Sequence, residues 1–427
     1  MAKIADAENL RLAFWKAAKG KRGKADCVAF RERLDENLAA LRAELLAGDV
    51  PVGNYHYFTV HDPKERLICA ATFRERVLHH AVMNVCEPVL ERAAVFDSYA
   101  CRKGKGRLLA VERAQGYART HGWCLKMDIR KYFDSIAHER LRALLGRKFK
   151  DPMLLGLVDR ILASYQTTPG RGLPIGNLTS QHFANFYLAP LDRFLKEELR
   201  RGAYVRYMDD FVVWGGSGRE LREVWERVRS FLTAELKLEL KANTAINRTA
   251  CGMDFLGYRL FPGTMRLARR SKVRFARKFR RYEAAHRCGR WSELMLQQRM
   301  TALLAFVMPA ESGAFRRHVM ERFGVAARRL EPRDSRRQLE QQRQELPVSQ
   351  PQQQQQPGQQ EQQHRVPGRP CPSSIVAPAG ASADPAAILS GASEFWPANR
   401  VSEPPGASRP AELSESSGRN PFSETTN

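Results

Sequence analysis

Two apolar, aromatic-rich runs meet at a pair of adjacent aspartates in AYVRYMDDFVVW, residues 203–214. Flanks of this composition read as strands and the polar interruption as a tight turn, so the segment predicts strand, acidic turn, strand. The carboxylates of Asp209 and Asp210 then stand at the tip of that hairpin, where hard divalent cations find oxygen ligands. Taken alone, the same residues also make an ordinary polar turn, so the weight falls on whether a second acidic site exists.

It does. CLKMDIRKYFDSIAHERL places Asp128 near the end of a short apolar strand at about 124–129, with Asp134 six residues later. Beside the 203–214 hairpin, that strand brings Asp128 to Asp209 and Asp210. Three carboxylates in one place repel one another unless cations occupy the site. Two Mg²⁺ ions, with Mn²⁺ as a substitute, relieve the repulsion, one activating a hydroxyl nucleophile and the other steadying a leaving pyrophosphate. On its own, Asp128 reads equally as a strand-end carboxylate making local hydrogen bonds.

The charge balance points to a polyanionic partner. Lys and Arg number 70 against 46 Asp and Glu, a net charge of +24, and 43% hydrophobic residues suffice for a real core. The cation excess lies in the first 340 residues; from Gln341 onward acids slightly outnumber bases. The eight cysteines form no CxxC pair, which argues against a zinc ribbon or finger, and lie among apolar residues as in reduced proteins. MAKIADAENL has no apolar signal core, and no run approaches a membrane span, so a soluble cytoplasmic protein is expected.

Periodicity predicts an amphipathic helix over 28–47, with Phe30, Leu34, Leu38, Leu41 and Leu45 on one face and Gly48 as its C-cap. It predicts a second helix over 73–95, kinked or broken at Pro88. Strands are expected at 124–129, 203–208, 211–214 and 254–260, with helices at 136–147, 180–200 and 218–236, an α+β arrangement. Residues 265–330 return to strongly basic helix. In RRSKVRFARKFRRY, Phe275, Phe279 and Tyr282 keep helical spacing, so one face packs inward and the other meets phosphate or simply solvent. After residue 331 the pattern vanishes into Gln, Pro, Ser and Ala, including the Gln352–Gln356 run, and disorder is expected.

Asp128 in its xDxxxxFD setting and the later YMDD hairpin resemble motifs A and C of reverse transcriptases. Other segments match in order: FRERVLHHAVMNVCEPVLE resembles the early fingers helix, SYACRKGKGRLLAVERA the second fingers motif, GLPIGNLTSQHFANFYLAPLD motif B, and LKLELKANTAI with GMDFLGYRL motif D and the primer grip. The resemblance covers about residues 50–262. It implies a right-hand polymerase with a ferredoxin-like palm (about 121–145 and 181–262) and fingers (50–120 and 146–180). A helical N-terminal extension at 1–49, a basic helical thumb at 263–330 and a disordered tail at 331–427 complete it. It further implies that Asp128, Asp209 and Asp210 are the catalytic metal ligands acting on a primer 3′-hydroxyl. Arg102, Lys103, Lys105 and Arg107, set around Gly104 and Gly106, would meet the triphosphate, Arg102 foremost. Phe133 would be the aromatic gate against a ribose 2′-OH. Lys241 would be the proton donor to pyrophosphate, although many relatives place that lysine where this chain has Asn243, just before Thr244.

Motif B departs from the common QGxxxSP. The chain reads Ile175-Gly176-Asn177-Leu178-Thr179-Ser180-Gln181, an IGxxxSQ form similar to reverse transcriptases of diversity-generating retroelements, which copy a template RNA with frequent errors at adenines. Ile175 cannot supply the hydrogen bond that Gln would, so the nascent pair is policed less tightly. Partners implied are template RNA, a DNA or RNA primer, deoxynucleoside triphosphates and a small helical accessory protein assembling as a basic oligomer, with RNA bridging two basic partners. The competing readings are a group II intron-type enzyme, whose endonuclease signature is missing after residue 331, and a retron enzyme, whose VTG signature the sequence lacks. A third is a catalytically inactive nucleic-acid-binding protein of the same fold.

Overall fold

A computed structural model describes residues 1–61 and 65–324; the tail expected to be disordered, 331–427, lies outside the described residues. The chain opens with three helices, α1 (Ala7–Ala18), α2 (Ala25–Glu32) and α3 (Leu34–Ala47). The Asp6 carboxylate caps α1 by accepting from the Glu8 and Asn9 amides, and Gly48, at φ +76°, ends α3. The single helix expected over 28–47 is thus two, parted at Arg33, whose backbone leaves the helical region (φ −121°, ψ 47°). A hairpin follows, β1 (Tyr55–His61) and β2 (Glu65–Ala71), then α4 (Phe73–Arg92), capped by the Thr72 hydroxyl. Helix α4 continues through Pro88 to Arg92. The rings of Phe14, Phe30 and Phe73 lie 5.4–6.0 Å apart, so α1 and α2 share the main core with α4 rather than forming an appendage.

Next come α5 (Arg107–Thr120), β3 (Trp123–Asp128), α6 (Tyr132–Ser135), α7 (His138–Gly146), α8 (Pro152–Ala163), α9 (Leu178–Tyr187) and α10 (Ala189–Arg193). The helix expected over 180–200 is therefore divided, with α10 passing into a π-helical turn at Phe194–Glu198. Strands β4 (Tyr204–Tyr207) and β5 (Asp210–Gly215), helix α11 (Gly218–Leu236) and β6 (Ala245–Arg248) complete this region. The sheet is antiparallel in the order β4-β5-β3-β6. Both faces are buried: Leu125, Met127, Phe211 and Val213 point into one core, and Cys124, Val205, Val212 and Trp214 into the other. Burial on both sides is why these strands read as continuous apolar runs rather than alternating ones. Helix α11 lays Leu221, Val224, Val228, Leu232 and Leu236 against the first core.

The last part holds a three-stranded sheet, β7 (Met253–Phe255), β8 (Tyr258–Leu260) and β9 (Met265–Leu267), followed by α12 (Arg269–Arg287), α13 (Glu293–Val307) and α14 (Gly313–Phe323). The single strand expected at 254–260 is a hairpin. Its two turn residues, Leu256 and Gly257, both have positive φ, the geometry of the commonest two-residue hairpin loops. Helix α12 buries Phe275, Phe279 and Tyr282 and leaves most of its arginines exposed. The described residues thus form a mixed helix and sheet fold, and none of their helices is long and apolar enough to cross a membrane.

Candidate active site

Strand β3 ends on Asp128 and β5 begins on Asp210; the two residues are register partners in the antiparallel ladder. Asp209 sits between β4 and β5 in a two-residue turn, and its carbonyl accepts from the Ile129 amide at 3.3 Å. The other turn residue, Met208, has φ +57°, a left-handed backbone that costs a side-chain-bearing residue about 1–2 kcal/mol. The topology therefore gathers three aspartates at one end of the sheet, at a turn under strain.

Their electrostatics are unfavourable in the cation-free protein. Burial, joined by the repulsion of Asp128, pushes the Asp209 carboxyl up to about 6. Burial likewise pushes Asp210 to about 6, partly opposed by Lys126. Two lysines compensate: Lys126 Nζ lies 3.2 Å from Asp210 Oδ2, and Lys241 Nζ lies 2.5 Å from Asp128 Oδ1. Each is anchored, Lys126 by donating to the Asp254 carbonyl and Lys241 by its own amide donating to the Asp128 carbonyl. No cluster of three or more His, Cys, Asp or Glu among the described residues is arranged to enclose a cation as it stands. The donor set still fits one. Asp210 Oδ1 is buried without any hydrogen-bond partner, and hard carboxylate oxygens are what Mg²⁺ takes.

The basic loop divides into two kinds of residue. Arg102, expected to meet a nucleotide, is engaged within the chain. Its side chain is only 8% exposed, its fork grips Glu91 at 2.7–2.9 Å, and Nη1 donates to the carbonyls of Val95 and Ser98. The neighbouring cations are less enclosed. Lys103 is exposed and 3.8 Å from Glu87, and Lys105 lies 3.3 Å over the Phe96 ring. Arg102→Ala is accordingly expected to destabilise the fold by about 2–4 kcal/mol, because it strands two carbonyls and a carboxylate. Urea melts check this; a variant of unchanged stability with weaker nucleotide binding would restore the original expectation.

The motif B segment lies along the edge of β2 turned away from β1. The Ile175 carbonyl accepts from the Cys69 amide at 2.8 Å, and Asn177 Oδ1 accepts from the Ala71 amide at 3.2 Å. Gly176, at φ +123°, passes so close to β2 that a Cβ there would stand 3.0 Å from Ile68 Cγ2 and 3.1 Å from the Cys69 carbonyl. Gln181 on α9 accepts from the Cys101 thiol, at the start of the basic loop, at 3.7 Å. Phe133 is half-buried on α6, and its carbonyl accepts from the Leu173 amide at 2.9 Å. The structure thus joins Asp128, Asp209, Asp210 and Lys241 in one cluster, and Ile175, Gly176 and Gln181 along the adjoining segment.

Two cations escaped sequence reasoning. Lys126 could have been found as the one cation within an apolar strand. Arg66 lies on β2 opposite Val60, and its charge helps hold the Asp209 carboxyl down. Its only signal was a basic residue in ERLIC, beside the unassigned hairpin.

Residues 61–260 match the family described as "Reverse transcriptase (RNA-dependent DNA polymerase)". Protein YkfC of Escherichia coli (strain K12) is 26% identical over 275 residues, 53% of this chain and 72% of that protein. The Group II intron-encoded protein LtrA of Lactococcus lactis subsp. cremoris is 24% identical over 281 residues, 49% of this chain. The match spans 46% of LtrA, less than half of that relative's length. Among solved structures, apo telomerase from Candida Tropicalis aligns with a TM-score of 0.40 at 11% identity, over 56% of this chain and 54% of that one.

Proposed function

From the match of residues 61–260 to the reverse transcriptase family, we propose that the protein is an RNA-directed DNA polymerase that builds cDNA on a template RNA by adding deoxynucleotides to a primer 3′-hydroxyl. The observation that carries this is the in-register pairing of Asp128 with Asp210 beside the turn that holds Asp209.

In this reading the β4-β5-β3-β6 sheet is the palm, the β1–β2 hairpin with the basic loop and motif B segment forms the fingers, and α12 to α14 form the thumb. Asp128, Asp209 and Asp210 would hold two Mg²⁺ ions, which when bound would activate the attacking hydroxyl and steady the departing pyrophosphate. The remaining work falls to side chains. Lys103, Lys105 and Arg66 neutralise the triphosphate. Gly176 lets backbone come close to the incoming nucleotide. Phe133 occupies the space a ribose 2′-OH needs. Lys241, released from Asp128, gives a proton to the pyrophosphate oxygen. Contacts to template and primer are chiefly electrostatic, so affinity falls steeply with salt. The direct test is extension of a DNA primer on an RNA template with Mg²⁺; a folded protein that extends none ends the proposal.

The finer reading is a diversity-generating retroelement enzyme, supported by Ile175 and Gln181 in motif B. Ile175→Gln is expected to lower misincorporation opposite template adenines by about three- to tenfold, because a restored hydrogen bond discriminates geometry at that site. Sequencing of cDNA from a fixed template measures this, and an unchanged error rate rejects the link. The similarity to LtrA favours a second reading, a group II intron-type enzyme, and selective binding of its own intron RNA would distinguish it. The accessory oligomer belongs to the first reading; a complex with it that survives high salt without RNA counts against RNA as the bridge.

A further inference from the structure

Three residues before Asp209, Arg206 is buried on β4 at 1% exposure and faces Asp192, equally buried. Its Nε and Nη2 hold both Asp192 oxygens at 2.7 and 2.6 Å. Its Nη1 donates to Asn185 Oδ1 at 2.8 Å and to the carbonyl of Met208, the strained turn residue, at 3.2 Å. Tyr204 donates its hydroxyl to Asp192 at 2.7 Å, so the carboxylate is fully engaged. The backbone of Arg206 is also committed: its amide donates to the Asp97 carbonyl and its carbonyl accepts from the Tyr99 amide, both at 2.9 Å. Asn185, on the same helix as Gln181, donates to the Ala100 carbonyl at 2.9 Å. One guanidinium therefore touches the aspartate turn and α9, and its strand pairs with the segment that leads into the basic loop.

Stability alone does not explain such a group. A buried ion pair pays a desolvation cost that well-packed apolar residues of similar volume avoid, often with no loss of stability. Meanwhile the turn it touches has the wrong residue for its backbone. Two-residue hairpin loops with positive φ at the first position favour glycine, and this one has Met208. A conformation disfavoured locally persists where its surroundings hold it, and the Arg206 donor to the Met208 carbonyl is such a hold.

We propose that Arg206, locked by Asp192, is the positioning residue that sets the Met208–Asp209 turn and ties its place to the basic loop and α9, so that the carboxylates are in position before a cation or nucleotide arrives. This rests on the reading of Asp128, Asp209 and Asp210 as the cation-holding site of a polymerase. The plain alternative is a core ion pair that serves the fold and nothing else.

Two variants of the full chain separate these. Arg206→Lys keeps the charge opposite Asp192 but lacks a fork that reaches both Asp192 and the Met208 carbonyl. Arg206→Met with Asp192→Leu removes the pair as a unit and leaves no buried lone charge. In the cation-free protein, amide hydrogen exchange at residues 208–211 is expected to quicken by about tenfold in both variants, with β3 and α11 unchanged. Mn²⁺ affinity, read by electron paramagnetic resonance and calibrated against Asp209→Asn, is expected to weaken by about tenfold. The kcat for primer extension is expected to fall about thirtyfold, with KM for the deoxynucleotide nearly unchanged, as misplacement of a reacting constellation does. Wild-type exchange at the turn with wild-type Mn²⁺ affinity overturns the proposal, and so does faster exchange spread evenly over the sheet, which marks a purely structural pair. If the unaltered chain binds Mn²⁺ through Asp209 yet extends no primer, the polymerase reading fails instead, and the exchange and Mn²⁺ measurements still decide the role of Arg206.

Discussion

Asp209→Asn is expected to lower kcat for primer extension by about three orders of magnitude or more, as the proposed two-metal site requires when an anionic ligand becomes a neutral amide, while making the cation-free protein harder to melt. The two effects share one cause. Burial and the neighbouring Asp128 raise the Asp209 carboxyl to about 6. An acid whose folded value lies above its unfolded one weakens the fold at every pH above the folded value. That penalty fades as pH falls through the window between about 6 and 4, where the folded state holds the extra proton. At neutral pH the ionised Asp209 therefore works against folding, and an amide of the same shape does not. Allowing for partial solvent screening, the gain is on the order of 1–2 kcal/mol, or a few degrees in Tm. Melting in a chelator and again in Mg²⁺ checks both halves: the wild type rises on adding Mg²⁺, and Asp209→Asn starts higher and rises less. A variant that melts lower in chelator and still extends primers at the wild-type rate would remove Asp209 from the cation site.

The hairpin bearing Asp209 and Asp210 was legible because its flanks are buried on both faces, and largely apolar runs, broken on β4 by Arg206, leave the acidic turn standing out. The expected strands at 203–208 and 211–214 correspond closely to β4 and β5. The break at Arg33 was not legible, since the leucine spacing on either side satisfies one helix as well as two. The 254–260 segment misled for a related reason: Met253, Phe255, Tyr258 and Leu260 are all buried, and only Gly257 hinted at a turn. At the site, sequence showed which residues carry charge but not which opposite charges they meet. Arg102 and Lys103 are adjacent and equally cationic, yet the first is enclosed by Glu91 and two carbonyls while the second reaches solvent. That difference depends on how α4 and the segment at 95–98 fold back on the loop. The pairing of Lys126 and Lys241 with the aspartates has the same origin, since segments distant in sequence bring them together.

Phe133→Val is expected to admit ribonucleotides, lowering the ratio of kcat/KM for deoxy- over ribonucleotides by about 10²-fold, a change near 2.7 kcal/mol in discrimination. In the proposed reading Phe133 is a gate, which must be rigid to exclude a single hydroxyl, and the backbone around Phe133 is held. Lys131 turns the chain through a left-handed backbone at φ +43°. Tyr132 is then buried, with its hydroxyl donating to the Ala184 carbonyl, which pins α6 to α9. The Phe133 carbonyl accepts from the Leu173 amide, which ties the same turn to the segment carrying Ile175 and Gly176. With the backbone so held, a gate at Phe133 would yield to a ribose 2′-OH only by moving its ring, whereas valine leaves room. Because a deoxyribose makes no use of that room, extension with deoxynucleotides should change little. If Phe133 is instead a plain core aromatic, the substitution costs about 1–3 kcal/mol of stability and slows both nucleotides alike, so the ratio stays where it was. Single-nucleotide incorporation with matched deoxy- and ribonucleotides distinguishes the two outcomes, because a packing defect cannot improve the use of the bulkier sugar.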